Sequence, residues 1–272
     1  MAQTMTQSEE IEHIVKHVEV FRYMPDRKLV QIILNLKNEP GALAEATVSI
    51  SSWGLNILYC SAYAANEHGF ADIIAEQRKD CDIISVQQKL ESLHSVNKAN
   101  IKQADQGLIV DSDSYPVMLS SGQSAVILRK ELIASMLKST RDAFGSGGEV
   151  IVYQQGKASG KNEALWLIKV LGEERLINNV QYLLRIFGAF GWGKAELVSF
   201  NMQPFKGIIR FYDSFECSVQ SDRPYSQFIR GFISGLAETI FGIKAKCSEN
   251  KCRAAGNSYC EFEISADVQR SL

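Results

Sequence analysis

The spacing of hydrophobic positions changes several times along the chain, and each change marks an element. In residues 8–23, Ile11, Ile14, Val15 and Val18 share one stripe of a 3.6-residue repeat, which predicts a short packing or pairing helix. Residues 29–36 are a compact run of Leu, Val and Ile and predict a strand. Asn38-Glu39-Pro40-Gly41 reads as a turn, with Pro40 at or before the start of a helix that carries Leu43, Ala44, Val48 and Ile50 and ends at Trp53-Gly54. Two strands follow, 55–64 and 70–76, joined by Asn66-Glu67-His68-Gly69; then a helix over 82–93 and a strand over 99–103. That order is the split unit of a ferredoxin-like domain.

Residues 105–115 are largely polar and read as a linker, and Pro116 opens a second domain. There the pattern predicts a helix over 125–144, a break at 145–148, a short strand at 150–153 and an amphipathic helix over 174–187. Strands at 192–200 and 207–217, a helix over 225–241, and strands at 243–249 and 259–264 complete it. Helices and strands are segregated, so both halves are α+β, the second with an antiparallel sheet. The resulting division is an N-terminal helix within 1–27, domains at 28–107 and 116–272, and a linker at 108–115.

Composition narrows the function. Net charge is −2 over 272 residues, so no basic field points to nucleic acid or an acidic membrane surface. No apolar run reaches the ~18 residues of a membrane span, and the polar, acidic start resembles neither signal nor transit peptide, so a cytoplasmic location is expected. Four of the six cysteines fall between Cys217 and Cys260, a cluster that in a reducing compartment points to metal rather than disulfides. No catalytic set stands out: His13, His17, His68 and His94 all lie early in the chain, and neither a Walker loop nor a dinucleotide fingerprint occurs.

Two stretches resemble known families. Asn38-Glu39-Pro40-Gly41-Ala42-Leu43-Ala44, followed by Gly54-Leu55-Asn56-Ile57, resembles the N-x-P-G-x-L-A and G-x-N-I signatures of ACT domains over about 28–107. The resemblance implies side-by-side pairing into a homodimer and an amino acid at the seam, with Asn38, Gly41 and Asn56 as its contacts; degenerate members only pair. Tyr153-x-x-Gly156-x-x-x-Gly160, Gly191-Trp192-Gly193, Ser214-Phe215-Glu216-Cys217 and Glu249-x-x-Cys252-x-x-x-Gly256-x-x-x-Cys260 are similar to 4-vinyl-reductase-type domains over 116 to about 266. Archaeal proteins resembling this chain are described as hydrocarbon-binding, and other members are sensor domains of aromatic-responsive activators. The resemblance implies an apolar pocket. Phe187, Phe190 and Trp192 at a helix-to-strand junction, with Phe228, Phe232 and Leu236 on one helix face, are its candidate lining. Gly231-x-x-x-Gly235 on that helix would let another element pack close.

Strand parity sharpens the cysteine cluster. In 207–217, Ile209, Phe211 and Phe215 are apolar, so Cys217 points inward, with Asp213 the exception. In 243–249, Ile243, Ala245, Cys247 and Glu249 share one face; in the last strand Cys260 shares a face with Phe262 and Ile264. An inward Glu249 with no Lys or Arg on its face is costly unless bound to a cation. Cys217, Glu249, Cys252 and Cys260 would complete a tetrahedral, structural zinc site, an arrangement the sensor domains of the family resemble; Cys247 competes with Glu249 as fourth ligand.

Together these features favour a ligand-sensing regulatory protein over an enzyme. It would hold an apolar or aromatic molecule in the second domain and, if the ACT signature is functional, an amino acid in the first. The alternatives are an enzyme or accessory protein acting on a tetrapyrrole or other apolar substrate, and a dimeric scaffold with vestigial pockets.

Overall fold

Leu29–Lys37, apolar and buried at almost every position, runs through the middle of the first sheet, where both faces need cover. The computed structural model describes residues 15–79, 82–119 and 122–267, and the chain divides into two units that part between Val117 and Met118.

The first unit runs β1 (Phe21–Tyr23), β2 (Leu29–Lys37), α1 (Ala42–Ser52), β3 (Leu55–Ala65), β4 (His68–Gln77), α2 (Ile83–Glu91), β5 (Val96–Gln103) and β6 (Leu108–Val110). The antiparallel sheet has the order β3-β4-β2-β5, the ferredoxin-like arrangement expected. Ile32 and Leu34 of β2 pack against Ala46 and Ile50 of α1 and Val86 and Leu90 of α2. Asp82 caps α2 by accepting from the Ile84 and Ser85 amides.

Two expectations change here. The helix of 8–23 lies outside the described residues as far as Ile14; Val15–Glu19 has no regular structure, and Phe21–Tyr23 is a strand paired with Leu108–Val110. Within the supposed linker, β6 is therefore structured. Its Ile109 is buried with Leu29 and Ile74, whose side chains leave the sheet away from α1 and α2.

The second unit runs α3 (Lys130–Phe144), α4 (Ser146–Leu171), α5 (Glu173–Asn178), α6 (Val180–Ala189), β7 (Lys194–Met202), β8 (Phe205–Tyr212), a 3-10 turn (Phe215–Cys217), α7 (Gln227–Phe241), β9 (Ala245–Lys251) and β10 (Cys260–Ala266). Its antiparallel sheet has the order β7-β8-β10-β9. Phe187 of α6 and Phe232, Ile233 and Leu236 of α7 bury against Ile209, Phe211, Phe262 and Ile264 of the sheet.

The expected strand at 150–153 is instead part of α4, the longest helix. Gly156 and Gly160 do not break it, because they are the contact surface with α7. A Cβ on Gly156 would lie 2.1 Å from the Phe228 carbonyl oxygen, and one on Gly231 2.0 Å from that of Tyr153. Gly160 faces Phe232 and Gly235 faces Lys157 in the same way, so the two helices run parallel with backbone against backbone. The expected helix at 174–187 is two pieces, α5 and α6, divided at Asn179.

Candidate metal centre and apolar cavity

Three chain segments of the second unit meet at one end of the sheet. The turn after β8 brings Cys217, β9 brings Glu249 and, just past its end, Cys252, and the first residue of β10 is Cys260. One ligand atom from each of these four buried residues lies within 4.8 Å of every other. The Cys217 sulfur is 3.4 Å from that of Cys260 and 3.8 Å from that of Cys252. These separations are far from the ~2.05 Å of a disulfide. They suit a tetrahedral ion with Zn–S bonds of about 2.3 Å, which holds its sulfurs about 3.8 Å apart.

Cys217 reaches this place by a different route from the one parity gave. β8 stops at Tyr212, Asp213 turns through a positive φ of 53°, and the 3-10 turn carries Cys217 inward. Asp213 is exposed, and its carboxylate binds Lys130 and Arg253, so its break in the apolar pattern marks the end of the strand. Cys247 is buried on β9 opposite Ile264, where burial pushes its thiol up to about 12, and it stands outside the four-residue cluster.

Ser226, which sequence reasoning missed, orders the site. Its amide and hydroxyl donate to the Glu249 carboxylate at 2.9 and 2.8 Å, and its oxygen lies 3.1 Å from the Cys217 sulfur. Burial raises the Glu249 carboxyl to about 7, and among the described residues no cationic side chain lies within ion-pair reach of it. Hydrogen bonding to Cys252 pushes the Cys217 thiol up to about 12, while bonds from Cys217 and Cys260 pull Cys252 well below the usual thiol range. A buried thiolate beside a buried carboxyl is a donor set short of a cation.

Since Ser226 faces the cluster, it does not cap α7. Glu216 does: its carboxylate accepts from the Phe228 and Ile229 amides at 2.9 and 3.0 Å and pairs with the buried guanidinium of Arg141 on α3.

Beside this end lies an apolar space of about 480 Å³, partly open to solvent, enclosed by α6, α7, β7, β8 and β10. Phe187, Phe200, Phe205, Ile233, Ala237 and Phe241 are among its lining, and no polar side chain takes part. Of the six candidate pocket residues, Phe187 and Leu236 line it. Phe187, Phe190, Trp192, Phe232 and Leu236 line a smaller space of about 220 Å³. Phe228 lines neither and packs on Trp192 and Phe215, with ring centroids 5.9 and 6.0 Å apart. The aromatic cluster around Trp192 is thus mostly filled, and the larger space is displaced toward Phe200 and Phe241.

In the first unit the three candidate ligand contacts are not gathered. The Asn38 amide donates to the Asn66 carbonyl at 2.7 Å, and Gly41 opens α1 with φ 92°. Asn56 pairs with Glu76, which pairs with Leu29, whereas Asn38 follows Lys37 at the other end of β2. Eight residues of strand, about 27 Å, separate these ends, so one copy cannot bring Asn56 to the other two.

Residues 208–266, which span β8, the cysteine cluster and β10, match the vinyl-4-reductase domain family. A relative, the uncharacterized protein MJ1642 of Methanocaldococcus jannaschii, is 31% identical over 126 residues, or 46% of this chain and 68% of that one. Among solved structures, the phenol-responsive sensory domain of the transcription activator PoxR, with phenol, is 16% identical over 53% of this chain and 78% of its own, at a TM-score of 0.48. A vinyl-4-reductase family protein from M. jannaschii is 20% identical over 53% of this chain and 99% of its own, at a TM-score of 0.33. No helix among the described residues is long and apolar enough to cross a membrane.

Proposed function

We propose that this chain, which belongs to the family of MJ1642 and carries a vinyl-4-reductase-type domain at residues 208–266, is a small-molecule-sensing protein. Its second unit takes an apolar or aromatic ligand, braced by a structural zinc ion on Cys217, Glu249, Cys252 and Cys260. The observation that carries this reading is the space of about 480 Å³ with wholly apolar lining. Burying apolar ligand surface there is worth roughly 25 cal/mol per Å², so a ligand needs few polar contacts to bind. No pair of titratable side chains converges on that lining to do acid–base chemistry, which favours sensing over catalysis. A ligand reports its presence by binding one conformation better than another.

The expected result is a rise in melting temperature with medium-chain hydrocarbons or small aromatics. Ala237→Phe, which fills the space, should remove it. A melting temperature unmoved by every such compound would leave the scaffold reading in the lead.

The first unit supplies pairing in this proposal. β3 is an edge strand, and its residues from Cys60 to Ala65 are all exposed, an open ladder of the kind proteins cover. Light scattering at micromolar concentration should give twice the chain mass; a monomer would overturn the pairing.

A further inference from the structure

Glu163 of α4 is the one polar side chain lining the smaller space, among Leu167, Phe187, Phe190, Trp192 and Phe232. Its Oε1 is buried and has no hydrogen-bond partner. Burial holds the carboxyl above its usual range. An acceptor left unsatisfied in apolar surroundings costs stability, and a half-exposed helix position could have held a neutral residue without that cost.

The surroundings suggest what completes it. Trp192 is the hub of an aromatic wall, with ring centroids 4.8 Å from Phe232, 5.8 Å from Phe187 and 6.3 Å from Phe190. Aromatic faces beside a carboxylate attract a cation that also donates hydrogen bonds, because ring quadrupole and carboxylate act with the same sign. Leu183, Phe187 and Leu236 line both the smaller and the larger space, so the two adjoin. The larger suits an apolar body, the smaller a compact head.

We propose that the ligand of this pocket is an amphiphilic amine, whose protonated head is received by Glu163 and the rings around Trp192 while its apolar body fills the adjoining space. This deepens the proposed function and rests on it. An uncharged hydroxyl head would satisfy the acceptor but not the charge, and an anionic head would be repelled.

The test compares octane, 1-octanol and n-octylamine on the full chain by calorimetric titration, with wild type and Glu163→Gln. Glu163→Gln keeps the size and an acceptor and removes the charge. Wild type should prefer octylamine over octanol by about tenfold, the scale of one charge-assisted hydrogen bond. Glu163→Gln should lose that preference while its octane affinity, the internal check on folding, stays the same. Equal affinities for all three in wild type, or a preference that survives Glu163→Gln, would overturn the amine proposal and leave the apolar pocket standing. If none of the three binds wild type, the pocket reading itself falls, and this proposal with it.

Discussion

Glu216→Ala is expected to lower the stability of the second unit by about 3–5 kcal/mol, the scale for breaking a buried ion pair from one side. Glu216 is fully buried, and its carboxylate serves Arg141 and the first amides of α7 together. Removing it strands a guanidinium that is already underserved. Arg141 donates through Nη2 to the Tyr225 carbonyl and the Gln227 side chain at 3.0 and 3.3 Å, whereas its Nε and Nη1 are buried without partners. Its remaining support is the Tyr225 ring, 4.0 Å from the guanidinium carbon. The α7 N-terminus has no substitute cap, since the Ser226 hydroxyl is committed to Glu249. Glu216→Gln, which can still accept from the amides, should cost less than the alanine change. Urea unfolding of the full chain measures both, and a loss under about 1 kcal/mol for Glu216→Ala, the size of an ordinary hydrogen bond, would show that the pair does not hold α3 to the start of α7.

This pair was not legible in the sequence, and the reason is general. Arg141 and Glu216 are 75 positions apart and sit in no repeat, so only the packing of α3 on the turn before Cys217 brings them together. The metal cluster was legible because two of its members, Glu249 and Cys260, lie on regular strands where alternation fixes the facing side. Cys217 was placed correctly through a wrong element, since an apolar face continues from β8 into the 3-10 turn. α4 was missed because Gly145–Gly148 and Gly156–Gly160 read as punctuation. Gly156 and Gly160 share their four-residue spacing with Gly231 and Gly235, and that correspondence was the available sign of two helices in backbone contact. The main cavity was placed one layer off: aromatics near Trp192 pack mostly against one another, and the emptier volume lies over the sheet beside Phe200 and Phe205.

Removal of the metal is the change expected to act on the most elements at once. Protein prepared without chelator should contain about one zinc per chain, and a strong chelator should strip it with a large fall in stability. An ion present at about 1,000 times its dissociation constant contributes about 4 kcal/mol, so a loss of that order is expected. The geometry says where it is felt. The 3-10 turn, the end of β9 and the start of β10 are joined at this end of the unit through the cluster, and Ser226 ties the start of α7 to Glu249. The loop from Cys252 to Cys260 has its own support, from the Cys252 amide to the Asn257 side chain at 3.1 Å and from the Arg253 amide to the Cys260 sulfur at 3.3 Å. Without the ion, the cluster's buried thiolate and carboxyl lose their counter-charge, and these few bonds must hold the loop alone. Cys252→Ser should therefore abolish metal binding and melt as the chelated wild type does, with no further response to chelator. Cys247→Ser should keep the metal, because Cys247 stands outside the cluster. Elemental analysis together with calorimetry reads both quantities on one sample. Metal-free protein as prepared, with a melting temperature indifferent to chelator, would reduce the four residues to a buried polar cluster and remove zinc from the proposed function.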